Sequence, residues 1–173
     1  MNEWLAQFLP SWFMQAFAFT PELSQWRQLG LAFLLGSFAV ATWSDLKRLS
    51  AQREFLEIWL VFLAAVAIYD AVEVGRGVTA MQVPLIKWGF ILVLSVASWE
   101  KVGWLFRLAP ADVAALAATA SLLSPVLIVL FYAGARVLSY LLQPLLSRGR
   151  NVYPFMPVVS LAAVLVLALA LMA

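Results

Sequence analysis

Two aspartates stand at the ends of apolar runs in this chain, and paired carboxylates are groups that can do chemistry. Asp45 follows the uncharged run 28–44 and lies in the stretch WSDLKRLSAQREF. Asp112 lies in the stretch LAPADVAAL, where another apolar run begins. An ionisable residue at or within a membrane span is costly, and such residues are therefore functional candidates by default.

Two carboxylates that lie close together repel each other, which favours a pair that holds a single proton. The ionised member can then take a proton from water while the protonated member polarises a peptide carbonyl, as in aspartic proteases. The chain has no cysteine and no histidine, which removes thiol nucleophiles, Ser-His-Asp catalysis and the usual zinc ligands. Asp45 and Asp112 are therefore candidate catalytic residues, and we expect no cofactor and no metal.

Each acid also has a simpler interpretation. Asp112 precedes an apolar run and could stabilise the N-terminus of a helix, where a negative charge is favoured. Asp45 could pair with Lys47 or Arg48 as a solvated residue at the membrane border. These alternatives remain open from the residues alone.

The composition predicts an all-α integral membrane protein. The 173 residues are 65% hydrophobic and 12% charged, whereas soluble domains carry about 25% charged residues. Residues 1–27 are rich in tryptophan and phenylalanine and contain Pro10, which favours an interfacial segment rather than a span. Residues 28–173 then form one membrane domain in contact with lipids. The net charge of +2 is too small to suggest a nucleic-acid partner.

Six transmembrane helices are expected, because a span needs about 20 mainly apolar residues. Between Asp112 and Arg148 the only charge is Arg136, and one straight helix of that length would measure about 54 Å against a hydrocarbon core of about 30 Å. The residue before a proline is disfavoured in a helix, so we place a break at Ser124–Pro125. The expected spans are 28–46, 55–74, 81–99, 112–124, 126–146 and 154–173.

The basic residues predict the orientation in a cell membrane. Six spans place three connections on one side, and these carry Lys47, Arg48, Arg53, Lys101, Arg107, Arg148 and Arg150. The opposite side has only Arg27 and Arg76, with Lys87 close by in the third span. Because basic residues mark the cytoplasmic side, both termini are expected to be extracytoplasmic.

Three other charged residues in or near the spans need partners or roles. Glu54 and Glu57 lie one helical turn apart at the start of the second span, where they could bind a basic peptide or instead cap that helix and offset Arg53. Arg136 lies in the middle of the fifth span, where a cation must find a partner. Its candidate partners are Glu57, Asp70 or backbone carbonyls near the Pro125 break.

Three motifs, in their order along the chain, resemble those of the type IV prepilin and preflagellin peptidases, which are membrane aspartyl proteases of the Gly-x-Gly-Asp class. The stretch SDLKR at 44–48 resembles the segment with the first catalytic aspartate, which places that role on Asp45. The stretch APADVAALAA at 109–118 resembles the Gly-x-Gly-Asp motif and the helix after it, which places the second role on Asp112. The stretch YPFMPVV at 153–159 resembles the Pro-Phe-x-Pro that opens the last span.

The resemblance implies a compact, archaeal-like hydrolase that cleaves the N-terminal leader of a prepilin- or preflagellin-like membrane protein at the cytoplasmic face. Glu54 and Glu57 are then possible substrate-binding residues. The chain departs from the family at Ala109 and Ala111, where the family has glycines, and at Pro110 between them. The family's Ile-Pro-Asn after the first aspartate is also absent. A non-catalytic membrane scaffold or assembly subunit with the same fold, or a proton- or cation-coupled carrier, are the alternatives.

Overall fold

The computed structural model describes residues 24–48, 53–147 and 154–172, with side chains at 24–44, 54–145 and 154–169. Six α-helices make up this part of the chain, which confirms the all-helical class, and no β-strand occurs within these ranges. Most of the proposed interfacial segment, residues 1–23, lies outside the described residues. The helices are α1 Gln25–Arg48, α2 Arg53–Gly75, α3 Gln82–Ser98, α4 Pro110–Ala120, α5 Pro125–Ser147 and α6 Met156–Met172.

Prolines set the boundaries of the short helix α4. Pro110 is the first helical residue, a position where its missing N–H would have no intrahelical partner and its fixed φ suits the helix. The helix ends at Ala120, and a turn over residues 121–124 leads to Pro125, the first residue of α5. The predicted break between the fourth and fifth helices is therefore confirmed. With 11 residues, α4 is about 16 Å long, roughly half the thickness of a hydrocarbon core.

Helix α4 is the centre of the bundle. It contacts each of the other five described helices, and its residues from Ala114 to Ala120 are all buried. Five of these seven residues are alanine, and small side chains allow neighbouring helices to approach closely. Outside this centre, α6 packs against both α1 and α5. The sequence around Asp112 thus forms the innermost helix of the described structure.

The connection between α3 and α4 is a closed loop rather than an open linker. Trp99 and Leu108 form an isolated β-bridge, and the amide of Leu108 donates to the carbonyl of Ser98 at 3.0 Å. Gly103 turns the chain with a φ of 59°, in the left-handed region that favours glycine. These bonds fix the direction in which the chain enters Pro110 and the first turn of α4.

Two of the described helices are long and apolar enough to cross a membrane, namely Glu54–Gly75 within α2 and Pro125–Leu145 within α5. Two further helices, Gln82–Ser98 and Met156–Leu169, are apolar but shorter. The described residues thus contain six helices, as many as predicted, but only two of these have the length and apolar character of a membrane span.

Candidate functional site

Asp112 lies in the first turn of α4, three residues after Ala109, the residue that precedes the helix. Its side chain is partly buried. The φ and ψ of Ala109 are −63° and 155°, which is extended backbone open to any residue. Alanine therefore occupies this position without backbone strain. The position in the first turn also agrees with the simpler interpretation, since the partial positive charge of a helix N-terminus favours an acid.

Asp45 lies near the C-terminal end of α1, and its side chain is outside the described part. The position of this end of α1 relative to α6 is nevertheless defined. Thr42 lies three residues before Asp45, and its hydroxyl oxygen lies 3.1 Å from that of Ser160 in a hydrogen bond between α1 and the start of α6. At the same end of the bundle, Phe155 packs edge-to-face on Phe106, with ring centroids 5.4 Å apart.

These contacts bring three segments to one end of the bundle: the last turns of α1, the first turn of α6 and the loop that leads into α4. Phe106 belongs to that loop, four residues before Pro110. Helices α1 and α4 are also in direct contact. The two candidate aspartates therefore belong to helix ends at the same end of the bundle, which we call the acid end.

An apolar groove leads away from the acid end. It has a volume of about 670 Å³ and is lined by α2, α3 and α4. Pro110 and Val113 line it near Asp112, and Leu56 lines it at the start of α2. Trp88 lines the groove farther along α3. A groove with this lining can accept an apolar chain but offers few polar groups of its own.

Glu54 and Glu57 also lie near the acid end. Both side chains are exposed, and Glu54 is in the first turn of α2. Leu56, which lies between them in the sequence, lines the same groove as Pro110. The two glutamates therefore lie on the first turns of α2, next to a residue that lines the groove, with their side chains exposed.

Arg136 has partners that the sequence did not indicate. Its guanidinium donates a hydrogen bond to the hydroxyl of Tyr140 at 2.7 Å and lies over the rings of Tyr140 and Phe106, at 4.5 and 5.3 Å from their centroids. The suggested partner Asp70 pairs elsewhere. Arg136 thus contributes to packing at the acid end, since a cation over an aromatic face is attracted to the ring electrons.

A buried ion pair joins three helices away from the acid end. Lys87 of α3 pairs with Asp70 of α2, and their side chains are only 5% and 10% exposed. The Lys87 ammonium also donates to the Ser121 carbonyl, at the C-terminal end of α4, at 2.9 Å. The indole N–H of Trp88 donates to the same Asp70 carboxylate at 2.9 Å. We call this arrangement the Asp70–Lys87 clasp.

The clasp was missed in the sequence, although a signal was present. Asp70 lies five residues before the end of α2 at Gly75, and Lys87 lies five residues after the start of α3 at Gln82. Two helices joined by a short turn place such residues at the same depth. The orientation of each side chain around its helix, however, decides whether they meet.

Comparisons of this chain with protein-family models, with curated proteins and with solved structures each gave no match. Among the described residues, no group of three or more acidic, histidine or cysteine side chains is placed to hold a metal ion. The site must therefore be interpreted from its own geometry.

Proposed function

We propose that this chain is a membrane-embedded aspartyl endopeptidase that cleaves the N-terminal leader from a prepilin- or preflagellin-like membrane protein. The observation that carries the proposal is that the C-terminal end of α1 and the N-terminal turn of α4 lie at the same end of the bundle, the acid end. Each of these two helix ends bears one of the two aspartates of the motifs. This arrangement supports a two-carboxylate site formed by residues 67 positions apart in the sequence.

Membrane embedding is part of the proposal and is supported by the surface of the bundle. Only 17% of the membrane-length window of α2 and 39% of that of α5 is buried inside the protein. Large apolar side chains such as Leu60, Val61 and Ile68 are therefore exposed on α2. Soluble monomers rarely expose apolar patches of this extent, whereas a lipid environment accommodates them. We further propose that the chain forms six spans in a cell membrane, with both termini extracytoplasmic.

In the proposed reaction, Asp45 and Asp112 hold one proton between them. The ionised carboxylate accepts a proton from a water molecule as that water adds to the carbonyl carbon of the scissile peptide. The protonated carboxyl donates a hydrogen bond to the carbonyl oxygen. The C–N bond then breaks, and the leaving amine takes up a proton from the pair. No cofactor is needed for these steps.

The surroundings of the acid end fit a substrate with a basic leader followed by an apolar helix. The exposed carboxylates of Glu54 and Glu57 offer negative charge to the leader. The apolar groove, which begins near Pro110, offers a surface to one face of the helix. The scissile bond would then lie at the junction of the two segments, next to the first turn of α4.

The test is cleavage of a leader-bearing membrane substrate by the purified protein in lipid nanodiscs. Asp45→Asn and Asp112→Asn should each reduce kcat by about 10²–10⁴-fold, the usual contribution of a catalytic acid or base. Glu100→Gln is the matched control, because Glu100 is an exposed acid in the α3–α4 loop. Wild-type cleavage by both asparagine variants would contradict the mechanism and favour a non-catalytic scaffold.

A further inference from the structure

A second cavity lies at the end of the bundle opposite the acid end, and we call it the polar cavity. Its volume is about 380 Å³, within the usual range of ligand sites. It is formed by the start of α1, the end of α2 and the start of α3. Four charged side chains line it, namely Arg27, Asp70, Glu73 and Lys87. Such a concentration of charge is unusual in a chain that is only 12% charged.

The four charges fall into two groups. Asp70 and Lys87 neutralise each other in the clasp. Arg27 and Glu73 form no ion pair with any residue of the described part. The Nε atom of Arg27 is buried and has no hydrogen-bond acceptor among the described residues. A buried donor without an acceptor is costly, which marks Arg27 as a position for an anionic ligand.

The cavity therefore offers one cation and one anion to a ligand. A guanidinium matches the oxygens of a phosphate group, and a carboxylate accepts hydrogen bonds from an ammonium group. Trp26 and Tyr69 also line the cavity, with ring centroids 4.3 Å apart. Tryptophan and tyrosine concentrate at the level of lipid headgroups. Exposed apolar side chains of α2 lie at this level, at Val72, and below it, at Ile68.

We propose that the polar cavity binds the headgroup of a phospholipid in which a phosphodiester is joined to a primary ammonium group. The phosphate lies against Arg27 and the ammonium lies against Glu73, while the acyl chains run along the apolar surface of the helices. The same headgroup chemistry exists in a free glycerophosphodiester, so the source of the ligand must be tested. This site is independent of the proposed peptidase activity.

The test measures binding to the purified detergent-solubilised protein by native mass spectrometry. The probes are phosphatidylethanolamine, phosphatidylcholine and phosphatidylglycerol with identical acyl chains, and free glycerophosphoethanolamine. Phosphatidylethanolamine should bind at least tenfold more tightly than phosphatidylglycerol, whose net negative charge is repelled by Glu73. It should also bind more tightly than phosphatidylcholine, whose quaternary ammonium has no N–H to donate. The free diester should bind far more weakly than the lipid.

Two variants assign the contacts. Arg27→Gln should weaken phosphatidylethanolamine binding at least tenfold, and Glu73→Gln should remove the preference over phosphatidylglycerol. Arg76→Gln and Glu100→Gln are controls, since both residues are exposed and outside the cavity. Equal binding of the three lipids to the wild type, or equally tight binding of the free diester, would overturn the proposal. That comparison needs no variant and so holds even if a variant fails to fold.

Discussion

Lys87 of α3 and Asp70 of α2 form a buried ion pair, and the same ammonium group donates a hydrogen bond to the Ser121 carbonyl that follows α4. The final carbonyls of a helix carry a partial negative charge, so the cation is held from two sides. The clasp therefore ties the innermost helix, α4, to α2 and α3. Since the clasp lies away from the acid end, its removal should affect stability before it affects the proposed catalytic site.

Single substitutions in the clasp should be more damaging than a double substitution. Asp70→Leu and Lys87→Met each leave one buried charge without its partner, and breaking a buried pair in this way costs about 3–5 kcal/mol. The double variant removes both charges and should lose clearly less than the sum of the two single effects. Equilibrium unfolding in mixed detergent micelles measures these differences.

The matched control for the clasp is the exposed pair of neighbours Glu100 and Lys101. Glu100→Gln and Lys101→Met should each change the free energy of unfolding by less than about 0.5 kcal/mol, as is usual for surface positions. Additive losses in the Asp70 and Lys87 variants would mean that the two side chains do not interact. The clasp would then have no role in holding the helices together.

Alanine substitutions at two glycines with similar backbone angles can distinguish the effect of conformational strain from that of steric contact. Gly77 and Gly103 have φ values of 71° and 59°, so alanine is strained at both, by about 1–2 kcal/mol. At Gly77 an added Cβ meets open space, whereas at Gly103 it lies 2.9 Å from Cγ of Arg107. Gly103→Ala should therefore destabilise the protein more than Gly77→Ala in thermal unfolding. In the Arg107→Ala background the two losses should become similar, and a persistent difference would point to another cause.

The helix boundaries were largely predictable from the sequence, because proline and glycine act locally. Pro125 disfavours helix for the residue before it, and the break at that point is confirmed. The end of α4 was less predictable. The expected span continued to Ser124, but the helix ends at Ala120 because residues 121–124 form a turn. Hydropathy does not distinguish a buried apolar turn from a buried apolar helix.

The contacts between helices were much less predictable than the helices themselves. Arg136 was recognised as a charge needing a partner, and Asp70 was one of its candidates, yet Asp70 pairs with Lys87 and Arg136 bonds to Tyr140. The choice depends on how each helix is rotated and on which helices are neighbours, and neither is encoded in local spacing. Consecutive helices run in opposite directions, so the sequence could predict that the helix ends with Asp45 and Asp112 lie at the same end of the bundle. The distance between the two carboxyl groups stays a prediction.

The proposed orientation predicts opposite labelling of two exposed positions. The chain has no cysteine, so single cysteines can be introduced without a background. Glu100→Cys in the α3–α4 loop should react only with reagents that reach the cytoplasmic side, because the basic connections lie there. Val78→Cys in the α2–α3 turn should react from the outside. Both residues are exposed in the structure. Labelling of both from one side would contradict the topology.

The two glutamates at the acid end should contribute to recognition of the leader rather than to chemistry. Glu54→Gln with Glu57→Gln should raise the KM for a substrate with a basic leader several-fold and leave kcat nearly unchanged. The effect should shrink at high ionic strength, because exposed charges are screened by salt. A leader with its basic residues replaced by glutamine is the matched control and should not respond to the substitutions. A loss of kcat alone would instead argue for a structural effect on α2.

The central prediction is that the carboxyl groups of Asp45 and Asp112 approach within roughly 4–8 Å, because sharing a proton requires an interaction of more than about one pK unit. Closeness in a partly dry setting is needed for this, since water weakens the interaction of distant charges. The cysteine-free background allows a direct test. The variant Asp45→Cys with Asp112→Cys should form a disulfide under mild oxidation, or be joined by a short bis-thiol reagent, in the folded protein.

The control for this test pairs Asp45→Cys with Val78→Cys, because residue 78 lies in the α2–α3 turn near the polar cavity. That pair should not be crosslinked under the same conditions. A variant with only one of the cysteines should form no crosslink within its own chain. Disulfides require Cα atoms about 4.4–6.8 Å apart, and a bis-thiol reagent extends this reach by its own length. If neither oxidation nor the reagent joins residues 45 and 112, the two carboxyls do not form a pair. The acids would then act separately, as a helix-terminal charge in α4 and a border residue in α1.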